Sequence, residues 1–239
     1  MNRGFFITGT DTGVGKTIIA GAMIKVMHYF GARACAMKPI ESGCGKEGDI
    51  LVPHDGAFLR ETAQMEDSLR LVTPCCFEHP LAPFAASEIE GKRVDIEGIR
   101  KAFHTLIRSY DAIVVEGIGG IMVPLRRDYY LVDLMKEFAL PLLIVTRPGL
   151  GTINHTMLTV NYALEAGFEV AGIIINCSRP PENSLAEKTN PGVLEEICPV
   201  PIIGTFPYLE GMGEDVLEKT ALRNFNLDVL KKYIVKSEE

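Results

Sequence analysis

A glycine-rich loop that ends in a lysine and a threonine is the most informative segment of this sequence. It reads GTDTGVGKT over residues 9–17, between an apolar run and an amphipathic one. In such a loop the glycines let backbone N–H groups face phosphate oxygens, a lysine such as Lys16 reaches the β- and γ-phosphates, and a hydroxyl such as that of Thr17 ligates Mg²⁺. The segment predicts a phosphate-binding loop, although it has one residue more than the common G-x-x-x-x-G-K-[ST] spacing. A glycine-rich turn with a chance Lys-Thr pair is the alternative, which the flanking strand and helix disfavour.

A carboxylate ends one of the apolar runs. Residues 112–120 read AIVVEGIGG, which places Glu116 at the end of a predicted strand with glycines behind it. Beside a phosphate-binding loop this is the usual position of an acid that coordinates Mg²⁺, and the glycines would let the backbone approach a phosphate. A capped turn is the alternative for Glu116. Asp55 begins a predicted helix over residues 55–62 and is either the cap of that helix or a second acidic group near the metal.

Lys38 and Ser42 lie in the segment MKPIESG, at the end of another predicted strand. Taken alone, a lysine at a strand end is most often a solvated surface residue. At the sheet end that holds the phosphate-binding loop, Lys38 could instead supply positive charge to an anionic intermediate, and Ser42 could add a hydroxyl donor.

Two further segments carry polar residues beyond apolar runs. Residues 150–155 read LGTINH and begin a predicted helix, whose free N–H groups favour a carboxylate or a phosphate. His155 could act as a base, although a packed or capping histidine is the commoner role. Asn176 follows a third apolar run, and its amide could pair with an adenine edge or simply form a turn.

Short apolar runs alternate with amphipathic segments along the chain. We predict strands over residues 4–8, 33–38, 112–115, 142–145, 170–175 and 201–204, and helices over residues 16–30, 55–62, 96–107, 130–138 and 152–165. This alternation indicates an α/β fold of the P-loop NTPase kind, with three layers and a mostly parallel central sheet between helices. The 239 residues contain no linker or repeat, so we expect a single domain over residues 1–239.

The candidate residues follow different strands of that sheet. The phosphate-binding loop, Lys38, Glu116, the helix start at residues 151–154 and Asn176 come after five separate predicted strands. Ligands bind such folds at the carboxyl ends of the strands. We therefore expect these segments to converge at one edge of the sheet.

The overall composition excludes several classes of partner. The chain carries 24 Lys and Arg residues against 31 Asp and Glu residues, a formal net charge of −7, so neither nucleic acid nor an anionic membrane is expected as a partner. No apolar segment approaches the roughly 18 residues that span a bilayer, and no signal peptide is predicted. The six cysteines lack zinc-site spacing and fit a reducing compartment. A cytoplasmic protein is expected.

Taken together, these segments resemble the dethiobiotin synthetases, a family of the biotin pathway. The resemblance rests on GTDTGVGKT, KPIESG, VEGIGG, LGTINHTMLT and GIIIN, which occur in this order between Phe5 and Pro207. The longer spacing of the phosphate-binding loop is this family's own form.

The resemblance implies an ATP-dependent cyclo-ligase that forms C–N bonds. Its substrates would be 7,8-diaminopelargonic acid, CO₂ and ATP. One amine would capture CO₂ as a carbamate, the carbamate would attack the γ-phosphate to give a carbamic-phosphoric anhydride, and the second amine would close the ureido ring. The products would be dethiobiotin, ADP and phosphate.

The resemblance also assigns roles to individual positions. It implies a Mg²⁺ site at Thr17, Asp55 and Glu116, and catalytic roles for Lys38, Lys16 and Thr12. The substrate would contact Thr12, Lys38 and Ser42 at its carbamate, and Gly151, Thr152, Ile153 and Asn154 at its carboxylate. ATP would contact Gly13, Val14, Gly15, Lys16, Thr17, Asp55, Glu116, Gly117, Ile118, Gly119, Asn176, Cys177, Pro207, Tyr208 and Leu209, with Glu214 as a weaker match.

Members of this family form homodimers that bind the substrate carboxylate across the subunit interface, which implies a homodimer here. Some members place a tyrosine of the partner subunit at that point, in the segment after the strand that ends at Asn176. This chain has no tyrosine between Ser178 and Pro199. Lys188, Thr189 and Asn190 are the candidates to replace it.

Two other functions fit the same fold. An amidotransferase-like synthetase, such as a cobyrinic acid diamide synthase, needs an added glutaminase domain, for which 239 residues leave no room. A regulatory ATPase of the MinD or ParA type carries an early lysine where this chain has Asp11. The chain also lacks a basic patch and a C-terminal amphipathic helix rich in Lys and Arg. Both are weaker hypotheses than the synthetase.

Overall fold

The computed structural model describes residues 3–211 and 215–235. Its strands are β1 (Gly4–Gly9), β2 (Ala34–Met37), β3 (Ile40–Ser42), β4 (Gly45–Glu47), β5 (Ile50–Val52), β6 (Cys75–Phe77), β7 (Ala112–Gly120), β8 (Pro124–Arg126), β9 (Tyr129–Tyr130), β10 (Leu142–Thr146), β11 (Val170–Asn176) and β12 (Ile202–Phe206). Its helices are α1 (Lys16–Tyr29), α2 (His54–Thr62), α3 (Leu69–Val72), α4 (Pro83–Glu90), α5 (Ile96–Ser109), α6 (Leu131–Phe138), α7 (Thr152–Glu165), α8 (Leu185–Ile197), α9 (Val216–Asn224) and α10 (Leu227–Ile234). No helix within these ranges is both long and apolar enough to cross a bilayer.

Six parallel strands form the central sheet, in the order β12-β11-β10-β1-β7-β2. β1, β10 and β11 are buried along their whole length, as expected for apolar strands that have both faces covered. The predicted parallel sheet is confirmed. Three short two-stranded pairs lie outside it: β3 with β6, β4 with β5, and β8 with β9.

Two neighbouring phenylalanines of β1 show that helices cover both faces of the sheet. Phe5 packs edge-on against Tyr233 of α10, with ring centroids 5.5 Å apart. Phe6 points to the opposite face, since successive strand residues alternate, and its ring lies 6.2 Å from that of Phe138 in α6. Phe138 in turn stacks on Phe103 of α5 at 3.8 Å. The three-layer arrangement predicted from the sequence is therefore observed.

The predicted helices match the observed ones within two residues at each end, whereas every predicted strand differs by at least one residue and β7 and β12 differ most. α7 has its predicted bounds, and the other four predicted helices, α1, α2, α5 and α6, shift by one or two residues at an end. β7 continues past Glu116 because its pairing with β1 resumes at Gly9 and Gly120 after a register shift. β12 starts after Pro201, which has no N–H to donate, and extends to Phe206, which pairs with Asn176.

Candidate active site

A cavity of about 520 Å³ opens where β1, β2, β7, β11 and β12 end. It brings together four of the five predicted segments: the phosphate-binding loop, Lys38, Glu116 and Asn176. Predicted site residues on its walls are Thr12, Gly13, Gly15, Lys16, Thr17, Lys38, Ser42, Asp55, Glu116, Ile118, Gly119, Asn176, Cys177, Pro207, Tyr208 and Leu209. Val14 and Gly117 do not line it, and Glu214 lies outside the described residues.

Glycines and the end of β11 shape the phosphate-binding loop. Gly13 and Gly15 have φ angles of 76° and 84°, which residues with a Cβ rarely adopt. A Cβ at Gly15 would also lie 2.0 Å from Asn176 Nδ2. Asn176 Nδ2 donates to Val14 O at 2.8 Å, and Ser178 Oγ donates to Gly13 O at 3.1 Å. Asn176 therefore supports the loop, while its adenine contact stays a prediction.

Lys16 begins α1 and is buried at the end of the loop. Its Nζ donates to Asp11 O at 3.2 Å. Burial lowers the pKa of Lys16 to about 8, although the charge of Glu116 opposes this shift. A bound polyphosphate would stabilise the ammonium form, because it brings negative charge close to Nζ.

Lys38 lies between two carboxylates in the wall of the cavity. Its Nζ donates to Asp55 Oδ2 at 3.0 Å and to Glu116 Oε1, which also accepts the Thr17 hydroxyl at 3.0 Å. Lys38 is only 4% exposed, so it is not the solvated surface residue that its type alone would suggest. Burial alone would lower the pKa of Lys38, but the two carboxylates outweigh burial and raise it. The side chain therefore stays an ammonium ion.

The oxygen atoms around Lys38 suit a hard divalent cation. Thr17, Asp55 and Glu116 offer a hydroxyl and two carboxylates, and Glu116 Oε2 is buried with no hydrogen-bond partner among the described residues. A buried oxygen of this kind costs free energy unless a cation or a donor reaches it. Within the described ranges no group of three or more His, Cys, Asp or Glu side chains is placed so that these residues alone could hold a metal ion. The donor set fits Mg²⁺, which takes its remaining ligands from phosphate and water.

Glu41 is a buried carboxylate of the site that the residue pattern alone does not identify. Its oxygens accept from Asp55 N at 3.0 Å and from Gly56 N at 2.9 Å, in the first turn of α2. A carboxylate there satisfies free N–H groups and complements the helix dipole. Glu41 thereby fixes the backbone of Asp55 beside Lys38. The signal in the sequence is its position between Lys38 and Ser42 in the KPIESG segment.

The fifth predicted segment, at the start of α7, does not line this cavity. Thr152 is buried, Ile153 is half-buried, and Gly151 and Asn154 are exposed. A second cavity of about 420 Å³ begins next to them at residues 147–150. Residues that line both cavities form a common wall, which consists of Thr12, Gly13, Asn176, Cys177 and Ser178.

An ion pair crosses from the end of β10 to the phosphate-binding loop. Arg147 Nη1 lies 3.6 Å from Asp11 Oδ2, and Asp11 Oδ1 accepts from Thr12 N at 2.7 Å. Both charged side chains are partly exposed, so the pair contributes little to stability. Its geometry nevertheless orients the backbone at Thr12, which is a predicted substrate contact.

Asn190 holds a loop within its own chain, which differs from the substrate contact across a subunit interface that was considered for it. Its Nδ2 donates to Pro148 O at 2.9 Å and to Gly149 O at 3.0 Å, and the residue is buried. Because it holds the loop between β10 and α7, Asn190 is a poor candidate for contacting the substrate of a partner subunit. Lys188 and Thr189 are exposed and remain candidates.

Comparison with known proteins identifies close relatives over almost the whole chain. A family model described as an AAA domain matches residues 3–215. The ATP-dependent dethiobiotin synthetase of Thermodesulfovibrio yellowstonii is 48% identical over 237 residues, which cover 96% of this chain and 99% of the relative. The ATP-dependent dethiobiotin synthetase of Bacillus subtilis strain 168 is 39% identical over 229 residues, which cover 95% of this chain and 97% of the relative.

Solved structures of distant proteins share the fold. The septum site-determining protein MinD of Pyrococcus horikoshii, complexed with Mg-ADP, has a TM-score of 0.51 at 16% identity, with 97% of this chain and 90% of that chain covered. A putative plasmid partition protein of Borrelia burgdorferi bound to AMPPNP has a TM-score of 0.55 at 11% identity, with 97% of this chain and 99% of that chain covered. At these identities the likeness shows the fold alone, and it confirms the predicted P-loop NTPase fold.

Proposed function

The chain belongs to the dethiobiotin synthetase family, and we propose that it converts 7,8-diaminopelargonic acid, CO₂ and ATP into dethiobiotin, ADP and phosphate in biotin biosynthesis. It is then an ATP-dependent ligase that forms C–N bonds. The observation that carries the proposal is Lys38, a buried ammonium group that shares a cavity with the phosphate-binding loop. A fixed cation at this point stabilises an anionic nucleophile next to the phosphates.

Three covalent steps account for the products. An amine nitrogen of the substrate bonds to the carbon of CO₂ and loses a proton, which gives the carbamate. A carbamate oxygen then bonds to the γ-phosphorus while the bond to the bridging oxygen breaks, and ADP leaves with that electron pair. The second amine bonds to the carbamoyl carbon and loses a proton, and phosphate leaves as the ring closes.

Positioning and charge carry most of the catalysis in this proposal. The carbamate is already an anion, so the site needs no strong general base. Lys16 and the loop N–H groups hold the β- and γ-phosphates. Lys38, Ser42 and Thr12 hold the carbamate against the γ-phosphate, and Thr12 is oriented through the carboxylate of Asp11.

The adenine of ATP is assigned to the far side of the same cavity. Asn176 ends β11 there and Cys177 follows it, and residues 207–209 follow β12. The amide of Asn176 can pair with a base edge, and Tyr208 and Leu209 offer apolar surface.

Thr17, Asp55 and Glu116 are the residues that would hold Mg²⁺. When bound, the ion would neutralise charge on the transferring phosphoryl group. Within the protein itself, the Lys38 ammonium group contacts both carboxylates and offsets their negative charge.

The proposal includes a homodimer, with the substrate carboxylate near the start of α7 at the subunit interface. Its support is three exposed leucines in or near α7 and α8, two helices that contact each other. Leu150, Leu158 and Leu185 are 87%, 63% and 81% exposed. In the proposed dimer these side chains belong to one contiguous apolar patch, as at other interaction surfaces.

A cytoplasmic location is also part of the proposal. All six cysteines are free thiols, and three of them, Cys35, Cys44 and Cys75, are buried. Unpaired thiols in this number are typical of a reducing compartment.

Product analysis tests the proposed reaction. The purified protein is incubated with 7,8-diaminopelargonate, carbon-labelled bicarbonate, Mg²⁺ and ATP, and dethiobiotin is sought by mass spectrometry. The label is expected in the product, and phosphate release is expected only when diamine and bicarbonate are both present. Absence of dethiobiotin under conditions where ATP binds would refute the proposal.

A further inference from the structure

Four threonine hydroxyls meet at the carboxyl end of β10. Thr146 Oγ1 lies 3.1 Å from Thr10 Oγ1, 2.7 Å from Thr152 Oγ1 and 2.8 Å from Thr156 Oγ1. Thr152 and Thr156 lie one turn apart on α7, with their hydroxyl oxygens 3.4 Å from each other. Thr146, Thr152 and Thr156 are at most 1% exposed, so bulk water does not compete for their contacts.

Thr146 uses the full hydrogen-bonding capacity of a hydroxyl group. A hydroxyl has one proton to donate and two lone pairs to accept with, which matches its three contacts. Valine would fill nearly the same space, so packing alone does not require a hydroxyl here. A hydroxyl at the centre of such a cluster instead fixes the orientation of its neighbours, because each buried hydroxyl loses free energy if it is left without a partner.

The cluster joins the two segments that bind the two ends of the substrate in the proposed function. Thr10 belongs to the phosphate-binding loop, and its backbone N also donates to Val145 O at 3.0 Å. Thr152 is the first residue of α7, where the substrate carboxylate is assigned. Thr146 therefore contacts both the loop that faces the reacting end and the helix start that faces the carboxylate end.

We infer that Thr146 is a positioning residue that fixes the separation between the start of α7 and the phosphate-binding loop, and thereby selects the chain length between the diamine and the carboxylate of the substrate. This inference rests on the proposed function. A ligand held at both ends must match the separation of its two sites. ATP is not assigned to the start of α7, so its binding should not depend on that separation.

Steady-state kinetics of matched variants test the inference. Thr146→Val removes the central hydroxyl, and Thr146→Ser keeps it. Thr105→Val is the control, because Thr105 is an exposed residue of α5 whose hydroxyl donates to Lys101 O. For each protein, KM is measured for the diamine and for ATP. The value of kcat/KM is also compared between the diamine and its homologues with one methylene fewer or more.

The expected result is a split between the two substrates. Thr146→Val should raise KM for the diamine about threefold to tenfold, as for the loss of buried hydrogen bonds, and reduce discrimination against the homologues by a similar factor. KM for ATP should change by less than about twofold. Thr146→Ser and Thr105→Val should resemble the unmodified protein. If Thr146→Val does not fold, Thr156→Val removes a hydroxyl partner of Thr146 on α7, outside the residues assigned to ATP and to the diamine, with the same split expected.

Several results would overturn the inference. Equal rises in both KM values, unchanged length discrimination in a folded Thr146→Val protein, or a Thr146→Ser variant as impaired as the valine variant would each do so. If the unmodified protein makes no dethiobiotin, the proposed function fails and the inference fails with it. If it makes dethiobiotin normally and the split is absent, the inference alone fails.

Discussion

The surroundings of two lysines in the site shift their pKa values in opposite directions. Burial lowers the pKa of Lys16 to about 8. Lys38 is buried too, but it contacts Asp55 and Glu116 directly, and their charges raise its pKa. Lys38 therefore keeps its charge at pH values where Lys16 loses its own. The contributions of the two residues can be separated by experiment.

Replacing Lys38 should strongly reduce turnover and leave ATP binding largely intact. Lys38→Ala removes the cation assigned to the carbamate, and we expect kcat to fall about 10²–10³-fold, as for the loss of one preorganised charge in an active site. ATP affinity, measured by calorimetry, should stay within about tenfold of that of the unmodified protein, because Lys16 and the loop N–H groups remain.

The control for this variant is Lys46→Ala, since Lys46 is an exposed residue that pairs with Glu78 on the surface. Lys46→Ala should be as active as the unmodified protein. Near-normal turnover in Lys38→Ala would refute the role assigned to Lys38.

ATP affinity should decrease above pH 8. The pKa of Lys16 in the nucleotide-free protein is about 8, and bound phosphates favour the ammonium form. Raising the pH through 8 neutralises Lys16 in the free protein, so binding then requires uptake of a proton. The apparent Kd should be nearly constant from about pH 6.5 to 7.5 and should then rise toward about tenfold per pH unit.

Calorimetric titrations at several pH values measure this change, and the binding heat near pH 8 should depend on the ionisation enthalpy of the buffer. Lys16→Ala is the matched variant, with weak binding that lacks this pH dependence. A flat profile between pH 7 and pH 9 in the unmodified protein would contradict the role of Lys16.

At the scale of elements, the first turn of α2 illustrates how one buried side chain positions another. The carboxylate of Glu41 accepts from the backbone of Asp55 and Gly56. Glu41→Gln keeps the shape of the side chain but removes its charge and one acceptor. We expect the free energy of unfolding to fall by about 1 kcal/mol. The Mg²⁺ concentration for half-maximal activity should rise, because Asp55 is held less firmly.

Chemical denaturation and a Mg²⁺ titration of activity measure the two effects of Glu41→Gln. Glu47→Gln is the control, because Glu47 is exposed on β4. If Glu41→Gln matches that control in both measurements, Glu41 neither stabilises the first turn of α2 nor positions Asp55.

The elements that the sequence predicts well are those whose signal is local. The bounds of α7 follow from its glycine start and its amphipathic pattern, and Lys38 was expected at the sheet end because a strand precedes it. The continuation of β7 to Gly120 has no such signal, because it depends on pairing with β1. The Thr10 and Thr146 hydroxyls likewise meet across 136 residues of chain. Contacts of this kind appear only once the order of the strands is known.

At the scale of the whole molecule, the direction of the strands decides where chemistry occurs. All six strands of the central sheet are parallel, and β1 lies between β10 and β7. The phosphate-binding loop therefore has the start of α7 on one side and Glu116 and Lys38 on the other. This order explains how segments far apart in the sequence reach one site.

The exposed leucines should make the protein a dimer in solution. Leu158→Glu places a charge on the exposed side of α7, and we expect the dimer dissociation constant to rise at least about tenfold. Sedimentation equilibrium measures this change. Ile89→Glu is the control, because Ile89 is 62% exposed on α4, and it should leave the dimer intact. A monomeric unmodified protein, or equal effects of the two variants, would contradict the proposed interface.

The common wall between the two cavities has a consequence for inhibitor design. Thr12, Gly13 and residues 176–178 line both spaces, so a single compound could place one arm in each. Once the first arm is bound, the second would bind intramolecularly, at an effective concentration on the order of millimolar for a short linker. Two weak fragments joined across this wall should therefore inhibit far more strongly than either fragment alone.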